Sequence, residues 1–193
     1  PDLIGTGEMG PGRFRGDAYI QGISLNVWFL SILNARSLVG IQAGDILRLV
    51  QVLQNHNNVN ANQIGALAHG EMGAVLVHAG LYETAITKFA LIEPLVSYGS
   101  LVENEYYGTN YVYSAPANVL PHYDIADIMA GLAPRSLMLI NVVDQNGHPA
   151  GESLVHTEMD IVSQSYREQD VEDNFKLKKW ERFHSIDEIF VEW

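Results

Sequence analysis

A glycine-rich turn between a predicted strand and a predicted helix is the first place in this sequence where chemistry could be located. The apolar run 64–68 predicts a buried strand, and residues 72–81 have a helical composition. The turn between them reads Ala68-His69-Gly70-Glu71-Met72-Gly73. A nucleophile held in a sharp strand-to-helix turn follows the order small-x-nucleophile-x-small, because only small residues fit beside it. That order assigns the nucleophile position to Gly70, which has no side chain, unless this is an ordinary glycine turn.

Two later residues complete the order of a hydrolase triad. Asp144 directly follows the apolar run 136–143, and His184 follows the predicted strand 175–180. In a triad of this chain order, the acid holds the imidazole in one tautomer and the histidine relays protons to and from the nucleophile. Two plainer interpretations stay open: Asp144 as a turn residue, and His184 as the entry to a helix.

Three other side chains could serve as a nucleophile. Glu71 adjoins the nucleophile position but is one residue out of register, so its carboxylate would point elsewhere. Ser97 and Ser100 follow the next predicted strand, near the rim of the predicted sheet. Spacing alone leaves a relocated serine open.

Histidines scattered along the chain raise the question of a metal site. They include His69, His78, His122, His148 and His184. The sequence has no HExxH or HxxEH motif, no two-carboxylate loop and no cysteine. We therefore predict no metal and no other cofactor.

Strands and helices alternate along the chain, which predicts an α/β fold with a mostly parallel sheet. Apolar strands are predicted at 64–68, 89–96, 136–143 and 175–180. Helices are predicted at 37–53, 72–81, 124–132 and 154–165, and Ser185 and Glu188 have the spacing of a capping box for a last helix. Strands that are apolar throughout indicate a sheet with helices on both faces.

Residues 97–122 are too long for an ordinary connection, and we expect them to form an excursion over the rim of the sheet. The segment is rich in tyrosine: Tyr98, Tyr106, Tyr107, Tyr111 and Tyr113. Aromatic faces could stack on a sugar ring, or the rings could simply anchor a long loop. The sequence does not decide between these two roles.

Composition excludes several classes of partner. The 193 residues fit a single domain, 1–193, and 11 Lys+Arg against 23 Asp+Glu leave a formal net charge of −12. That charge opposes attraction to nucleic acid or to anionic membrane surfaces. No apolar run in the sequence reaches the ~18 residues of a membrane span.

The sequence resembles the acetyl xylan esterase-like α/β-hydrolases of bacterial carbohydrate breakdown. The resembling segments are Asp2-Leu3-Ile4-Gly5-Thr6-Gly7-Glu8, Arg36-Ser37-Leu38-Val39-Gly40 with Asp45-Ile46 and Arg48, residues 64–73, Leu95-Val96-Ser97-Tyr98, Tyr123-Asp124-Ile125-Ala126-Asp127 and Leu132-Ala133-Pro134-Arg135. They cover most of the chain as far as Asp144. The resemblance implies the C-terminal part of an α/β-hydrolase fold, a location outside the bacterial cytoplasm, and hydrolysis of a carboxylic ester through an acyl-enzyme on serine.

Carried over residue by residue, the resemblance assigns the acid to Asp144 and the base to His184. It assigns the nucleophile to Gly70 and one oxyanion donor to the backbone amide of Glu71. We also expect Tyr98, His69 and His148 to bind the substrate. The sequence departs from the family's pattern at the serine.

Three hypotheses follow. The chain is an esterase acting on acylated carbohydrate, or it is a catalytically inactive hydrolase-fold protein that binds glycan through the excursion 97–122. We also expect the first strands of the domain to come from an N-terminal segment outside this sequence, because Asp2–Glu8 has the character of a strand end entering a glycine-rich loop. This third hypothesis is compatible with either of the others.

Overall fold

The computed structural model describes residues 2–10, 18–20, 23–180 and 189. Its strands are β1 (Tyr19–Ile20), β2 (Ile23–Ser24), β3 (Ile64–His69), β4 (Ile86–Ile92), β5 (Ser136–Ile140) and β6 (Phe175–Lys178). Its α-helices are α1 (Leu25–Leu33), α2 (Leu38–Gln54), α3 (Met72–Tyr82), α4 (Gly99–Glu103), α5 (Ile125–Ala130) and α6 (Glu152–Glu168). Short 3-10 helices cover Gly7–Met9, Thr109–Ser114 and Glu172–Asn174.

Strands β3 to β6 form one parallel sheet in chain order, each beside the next. Phe89 and Leu91 of β4 face the main core, which also contains residues of α3, α5 and α6. Ala90 and Ile92 face the other way and pack with Ile189, which lies in a helix. Both faces of the sheet are therefore covered, and the predicted α/β class with a parallel sheet is confirmed.

The strands end earlier than the sequence predicts. β4 runs from Ile86 to Ile92 rather than over 89–96, and β5 ends at Ile140 rather than at residue 143. Both strands stop where the next residue adopts a positive φ, although the apolar runs continue and pair again in an isolated bridge between Leu95 and Val143. Hydrophobicity does not report this local change of backbone direction.

The hairpin of β1 and β2 and the helix α1 were not among the predicted elements. Helix α1 has the sequence LNVWFLSIL, without a charged residue, so no polar side marks it as an amphipathic helix. Its start is fixed by Ser24, whose hydroxyl accepts a hydrogen bond from the amide of Val27. The predicted last helix at Ser185 and Glu188, together with His184, lies outside the described residues. Among the described helices, none has the length and apolar character to cross a membrane.

The glycine-rich start of the chain is bound to helix α2. The amide of Ile4 donates to the Asp45 carboxylate (3.2 Å), and the buried side chain of Gln42 donates to the Ile4 carbonyl (3.0 Å). Leu3 is buried among residues of α2 and α3. Side chains of one helix thus satisfy both backbone groups of Ile4.

Arg135 ties the end of helix α3 to the amino edge of the sheet. Its guanidinium donates to the carbonyls of Gly80 (2.7 Å), Glu83 (2.9 Å) and Ile86 (3.1 Å). The same group lies over the ring of Phe89, 5.1 Å from its centroid. Hydrogen bonds from a charged donor to carbonyls at a helix end are stronger than neutral ones, so Arg135 fixes how α3 lies on β4.

Helix α3 approaches β4 closely at Gly80. A Cβ atom at Gly80 would lie 2.7 Å from Cε1 and 2.8 Å from Cζ of Phe89, whereas one at Gly44 of α2 would have nothing within 4 Å. Gly80 is therefore a requirement of packing, and Gly44 is not.

This pair of helical glycines gives a matched test of the packing. We expect Gly80→Ala to lower the free energy of unfolding by about 1–3 kcal/mol through overpacking. Gly44→Ala should raise it by about 0.5–1 kcal/mol, because alanine has the higher helix propensity. Urea unfolding followed by circular dichroism measures both. A stabilising Gly80→Ala would contradict the close approach of α3 to β4.

Candidate functional site

Three neighbouring strands end in the same way at the carboxyl edge of the sheet. β3, β4 and β5 are followed by Gly70 (φ +58°), Glu93 (φ +52°) and Asn141 (φ +52°). The amides of these residues donate to the last carbonyls of the next strands: Gly70 to Ile92 (2.8 Å), Glu93 to Ile140 (2.7 Å) and Asn141 to Lys178 (3.0 Å). Each turn is thus anchored on the adjacent strand, and the residues that follow the strands come together at one edge.

Two of these three positions hold residues other than glycine: Glu93, which disfavours a left-handed backbone, and Asn141, which tolerates it better. A non-glycine residue there costs about 1–3 kcal/mol, and such residues cluster at functional sites. Glu93 and Asn141 adopt this conformation side by side. Glu93 and Asn141 are thus two of the five described non-glycine residues with a positive φ, and they lie beside each other at this edge.

Gly70 has the backbone of a strand-to-helix elbow. Its amide is bonded to Ile92, its carbonyl accepts from the amide of Gly73 (3.0 Å), and its φ is +58°. A Cβ atom placed on Gly70 would meet nothing within 4 Å. There is consequently room in front of this residue for a side chain that the sequence does not supply.

Glu71 lies between this turn and the first turn of helix α3 and is the N-cap residue of that helix. Backbone amides at a helix N-terminus point outward, and the helix dipole favours negative charge there. The Glu71 amide is therefore in a position suited to a negatively charged oxygen, which is what an oxyanion donor requires.

Asp144 lies at the base of a tight turn formed by residues 144–148. Its Oδ1 atom accepts hydrogen bonds from the amides of Asn146 (2.8 Å) and His148 (3.0 Å), so the carboxylate stabilises the turn. Within the described part of the chain, its Oδ2 atom accepts no hydrogen bond. One oxygen of Asp144 is thus used by the turn, and the other remains for a partner such as an imidazole.

Glu93 is a residue of this edge that sequence reasoning missed. Its Oε2 atom lies 3.0 Å from Nε2 of His69, next to the elbow. The sequence signal for Glu93 was the same as for Asp144: an acidic residue directly after a strand. It was hidden because the apolar run was predicted as one strand reaching residue 96. His148, in contrast, is exposed on the 144–148 turn.

Tyr111 lies among the carboxylates of this edge. Its side chain is buried, and its hydroxyl is 3.5 Å from the Glu93 carbonyl oxygen. Burial, followed by the negative charges of Glu71, Glu93 and Asp144, raises the pKa of Tyr111 to about 12. The phenol therefore stays protonated at neutral pH, and the three carboxylates lie close enough to act on one group.

Asp124 organises the start of the excursion. Its carboxylate accepts hydrogen bonds from the amides of Tyr98 (2.6 Å) and Gly99 (2.9 Å) and from the hydroxyl of Ser97 (2.9 Å). The hydroxyl of Ser100 donates to the Ser97 carbonyl (2.6 Å), and both serines are buried. These two hydroxyls are engaged in internal structure rather than directed at the elbow.

The tyrosines of the excursion divide into two groups. Tyr98 is buried and donates its hydroxyl to the Ser114 carbonyl (2.9 Å), and Tyr113 is also buried. These two buried rings anchor the excursion. Tyr106 and Tyr107 are 75% and 48% exposed, so their rings remain accessible to a ligand.

The end of the excursion is attached to helix α3 through His78. Nδ1 of His78 lies 2.7 Å from the Ala74 carbonyl oxygen, and its Nε2 lies 2.9 Å from the Tyr123 hydroxyl. A neutral imidazole that donates from Nδ1 and accepts at Nε2 satisfies both contacts. Burial lowers the pKa of His78, while the bond to the Ala74 carbonyl opposes this change.

A metal centre finds no support in the described ranges. Within residues 2–10, 18–20, 23–180 and 189, no three His, Asp or Glu side chains are grouped so that they could hold a metal ion.

Comparison with known proteins rests on structure alone. No family model matches this sequence, and no curated protein matches it. A solved structure of a candidate acetyl xylan esterase from Bacteroides fragilis superposes with a TM-score of 0.70 at 15% identity, over 96% of this chain and 47% of that one. The chain has part of an α/β-hydrolase fold.

Two glucuronoyl esterases of carbohydrate esterase family 15 are similar as well. The protein from Teredinibacter turnerae gives a TM-score of 0.61 at 14% identity, over 81% of this chain and 46% of that one. The protein from Caldicellulosiruptor kristjansonii gives 0.59 at 13% identity, over 82% and 49%. This chain spans about half the length of these three solved structures, and the resemblance expected from the sequence is confirmed at the level of the fold.

His78 makes stability depend on pH in a predictable direction. Its pKa is lowered in the folded state relative to 6.5, so the unfolded state takes up the proton first as the pH falls through 6.5. The free energy of unfolding contributed by neutral His78 is present above 6.5 and is lost below it. We expect the stability advantage of the parent over His78→Gln to be larger at about pH 7.5 than at about pH 5.5.

Urea unfolding of both proteins at the two pH values measures this difference. His122→Gln is the control, since the side chain of His122 is exposed. An advantage that is equal at both pH values, or larger at the lower one, would show that His78 is not held neutral in the fold.

Proposed function

We propose that this chain is a carbohydrate-esterase-like hydrolase-fold protein that binds an ester at the carboxyl edge of its sheet without forming an acyl-enzyme. The observation that carries this proposal is Gly70. It has the backbone of the elbow and open space where a nucleophile's Cβ would be, but it has no side chain to acylate. In serine hydrolases, loss of a triad member alone costs many powers of ten in rate.

The remaining groups support binding and orientation of an ester. A carbonyl oxygen at the Glu71 amide would be polarised by the start of helix α3. The Oδ2 atom of Asp144 accepts no hydrogen bond within the described residues and could accept the Nδ1 proton of His184; Glu71 and Glu93 are the other carboxylates at the same edge. Without a hydroxyl at residue 70, these groups have no acyl transfer to assist.

A relocated serine is the alternative that would keep the activity. Ser97 and Ser100 are 3% and 6% exposed, and their hydroxyls donate to Asp124 and to the Ser97 carbonyl. A hydroxyl that attacks an ester must be accessible and must face a base. These contacts favour a hydrolase fold without a nucleophile over one in which Ser97 or Ser100 is the nucleophile.

The ligand that fits best is a neutral carbohydrate ester. The formal charge of −12 and the carboxylates around Tyr111 disfavour anionic ligands. The exposed rings of Tyr106 and Tyr107 could stack on a sugar beside the edge.

Restoring the nucleophile tests the proposal. We expect the parent and Gly70→Ala to show no hydrolysis of p-nitrophenyl acetate above the buffer rate. Gly70→Ser should gain at least about a hundredfold over them, because it completes an assembled elbow. Gly70→Ala is the matched control, since it has the same backbone strain without the hydroxyl.

A second substitution in the Gly70→Ser background assigns the partners. His184→Ala should remove the gained activity, and Asp144→Asn compared with Glu93→Gln shows which acid orients the imidazole. If the parent itself hydrolyses the ester and His184→Ala abolishes that turnover, the protein is an esterase with a different nucleophile and the proposal is wrong.

A further inference from the structure

A cavity of about 410 Å³ opens between the carboxyl ends of β5 and β6 and the start of helix α6. Most of its wall is apolar. The apolar side chains are those of Val142, Val143, Ala150, Val155, Leu177 and Trp180. Nothing in the proposed elbow chemistry requires a space of this size.

The cavity adjoins the elbow through shared residues. Glu93 lines the cavity and also contacts His69, the residue before Gly70. Gly147, in the turn that begins at Asp144, lines it as well, and a Cβ there would lie 4.0 Å from the ring of Tyr111. A ligand that fills the cavity would therefore extend from the same edge that carries residues 70 and 71.

Hydrogen bonds donated by backbone amides hold the walls in place. The Trp180 amide donates to Oδ1 of Asn141 (2.7 Å), and the Ala150 amide donates to the Val142 carbonyl (3.0 Å). At the mouth, Lys179 pairs with Glu152 at 3.3 Å. The apolar wall is thus preformed, and a charge at its rim is already compensated.

Size and chemistry define the group that fits. An apolar cavity of about 150 Å³ suffices for benzene, so 410 Å³ holds a ring together with its linker and far exceeds an acetyl group. Trp180 lines the cavity, and an indole prefers to pair with an aromatic ring in an offset-stacked or edge-to-face arrangement. Two carboxylates, Glu93 and Glu152, and two ammonium groups, Lys178 and Lys179, line the cavity, so a charged ligand would lose its hydration there without meeting a net opposite charge.

We infer that this cavity binds one uncharged aromatic ring of an ester whose carbonyl lies near the Glu71 amide. The inference deepens the proposed function and rests on it for the placement of the carbonyl. The ring could belong to the acyl group or to the alcohol, which the probes below distinguish.

Binding to the parent chain tests the inference without requiring turnover. The probes are methyl cinnamate, with its ring on the acyl side, and benzyl acetate, with its ring on the alcohol side. The comparison compounds are methyl butyrate, which has no ring, and the cinnamate anion. Titrations followed by ligand-observed NMR should show saturable binding of at least one aromatic ester and none of the two comparison compounds.

Two substitutions locate the binding in the cavity. Trp180→Ala should weaken it about tenfold, whereas Trp28→Ala should not change it, since Trp28 packs on Tyr113 and does not line the cavity. If Trp180→Ala fails to fold, Ala150→Phe, which would fill the space, provides the same test. Equal binding of methyl butyrate, or binding unaffected by both cavity variants, would overturn the inference.

The binding test of the cavity and the activity test of the proposed function can fail independently. Aromatic esters that bind to the parent while Gly70→Ser remains inactive would leave the cavity assigned and the elbow proposal wrong. If Gly70→Ser hydrolyses p-nitrophenyl acetate and no aromatic ester binds to the parent, the elbow proposal stands and the inference about the cavity is wrong.

Discussion

The carboxyl edge of the sheet depends on one repeated backbone interaction. After β3, β4 and β5 the chain turns through a left-handed residue whose amide is bonded to the last carbonyl of the next strand. Because the three turns are linked in this way, the elbow at Gly70, the acid Glu93 and the segment leading to Asp144 have fixed relative positions. The open space at Gly70 belongs to one of three turns that are anchored in this way, and this is why we interpret it as a missing side chain rather than as a loose turn.

Much of the fold could be predicted from the sequence. The order of apolar strands and helices gave the parallel sheet, and Ser37 and Asp124 were correctly placed at helix starts. The ends of β4 and β5 could not be predicted, because a change in φ at Glu93 and Asn141 leaves no trace in hydrophobicity. Helix α1 was missed because it has no charged residue that would mark a polar side.

In the candidate site, too, local patterns could be predicted from the sequence and long-range contacts could not. Turn order and strand order were sufficient to place Gly70, Glu71 and Asp144 at one edge of the sheet. Contacts between residues far apart in sequence were not accessible to that reasoning. Examples are Glu93 with His69, the position of Tyr111 among three carboxylates, and the internal bonds of Ser97 and Ser100. The assigned roles of His184 and Asp144 stay predictions.

We propose that residue 70 has the position of a nucleophile and lacks the side chain for that role. The most direct test is the intact mass of the parent, Gly70→Ala and Gly70→Ser after incubation with a fluorophosphonate, which labels activated serines. We predict one adduct on Gly70→Ser and none on the other two proteins. A folded Gly70→Ser variant that remains unlabelled, or a parent labelled to the same extent, would contradict the account.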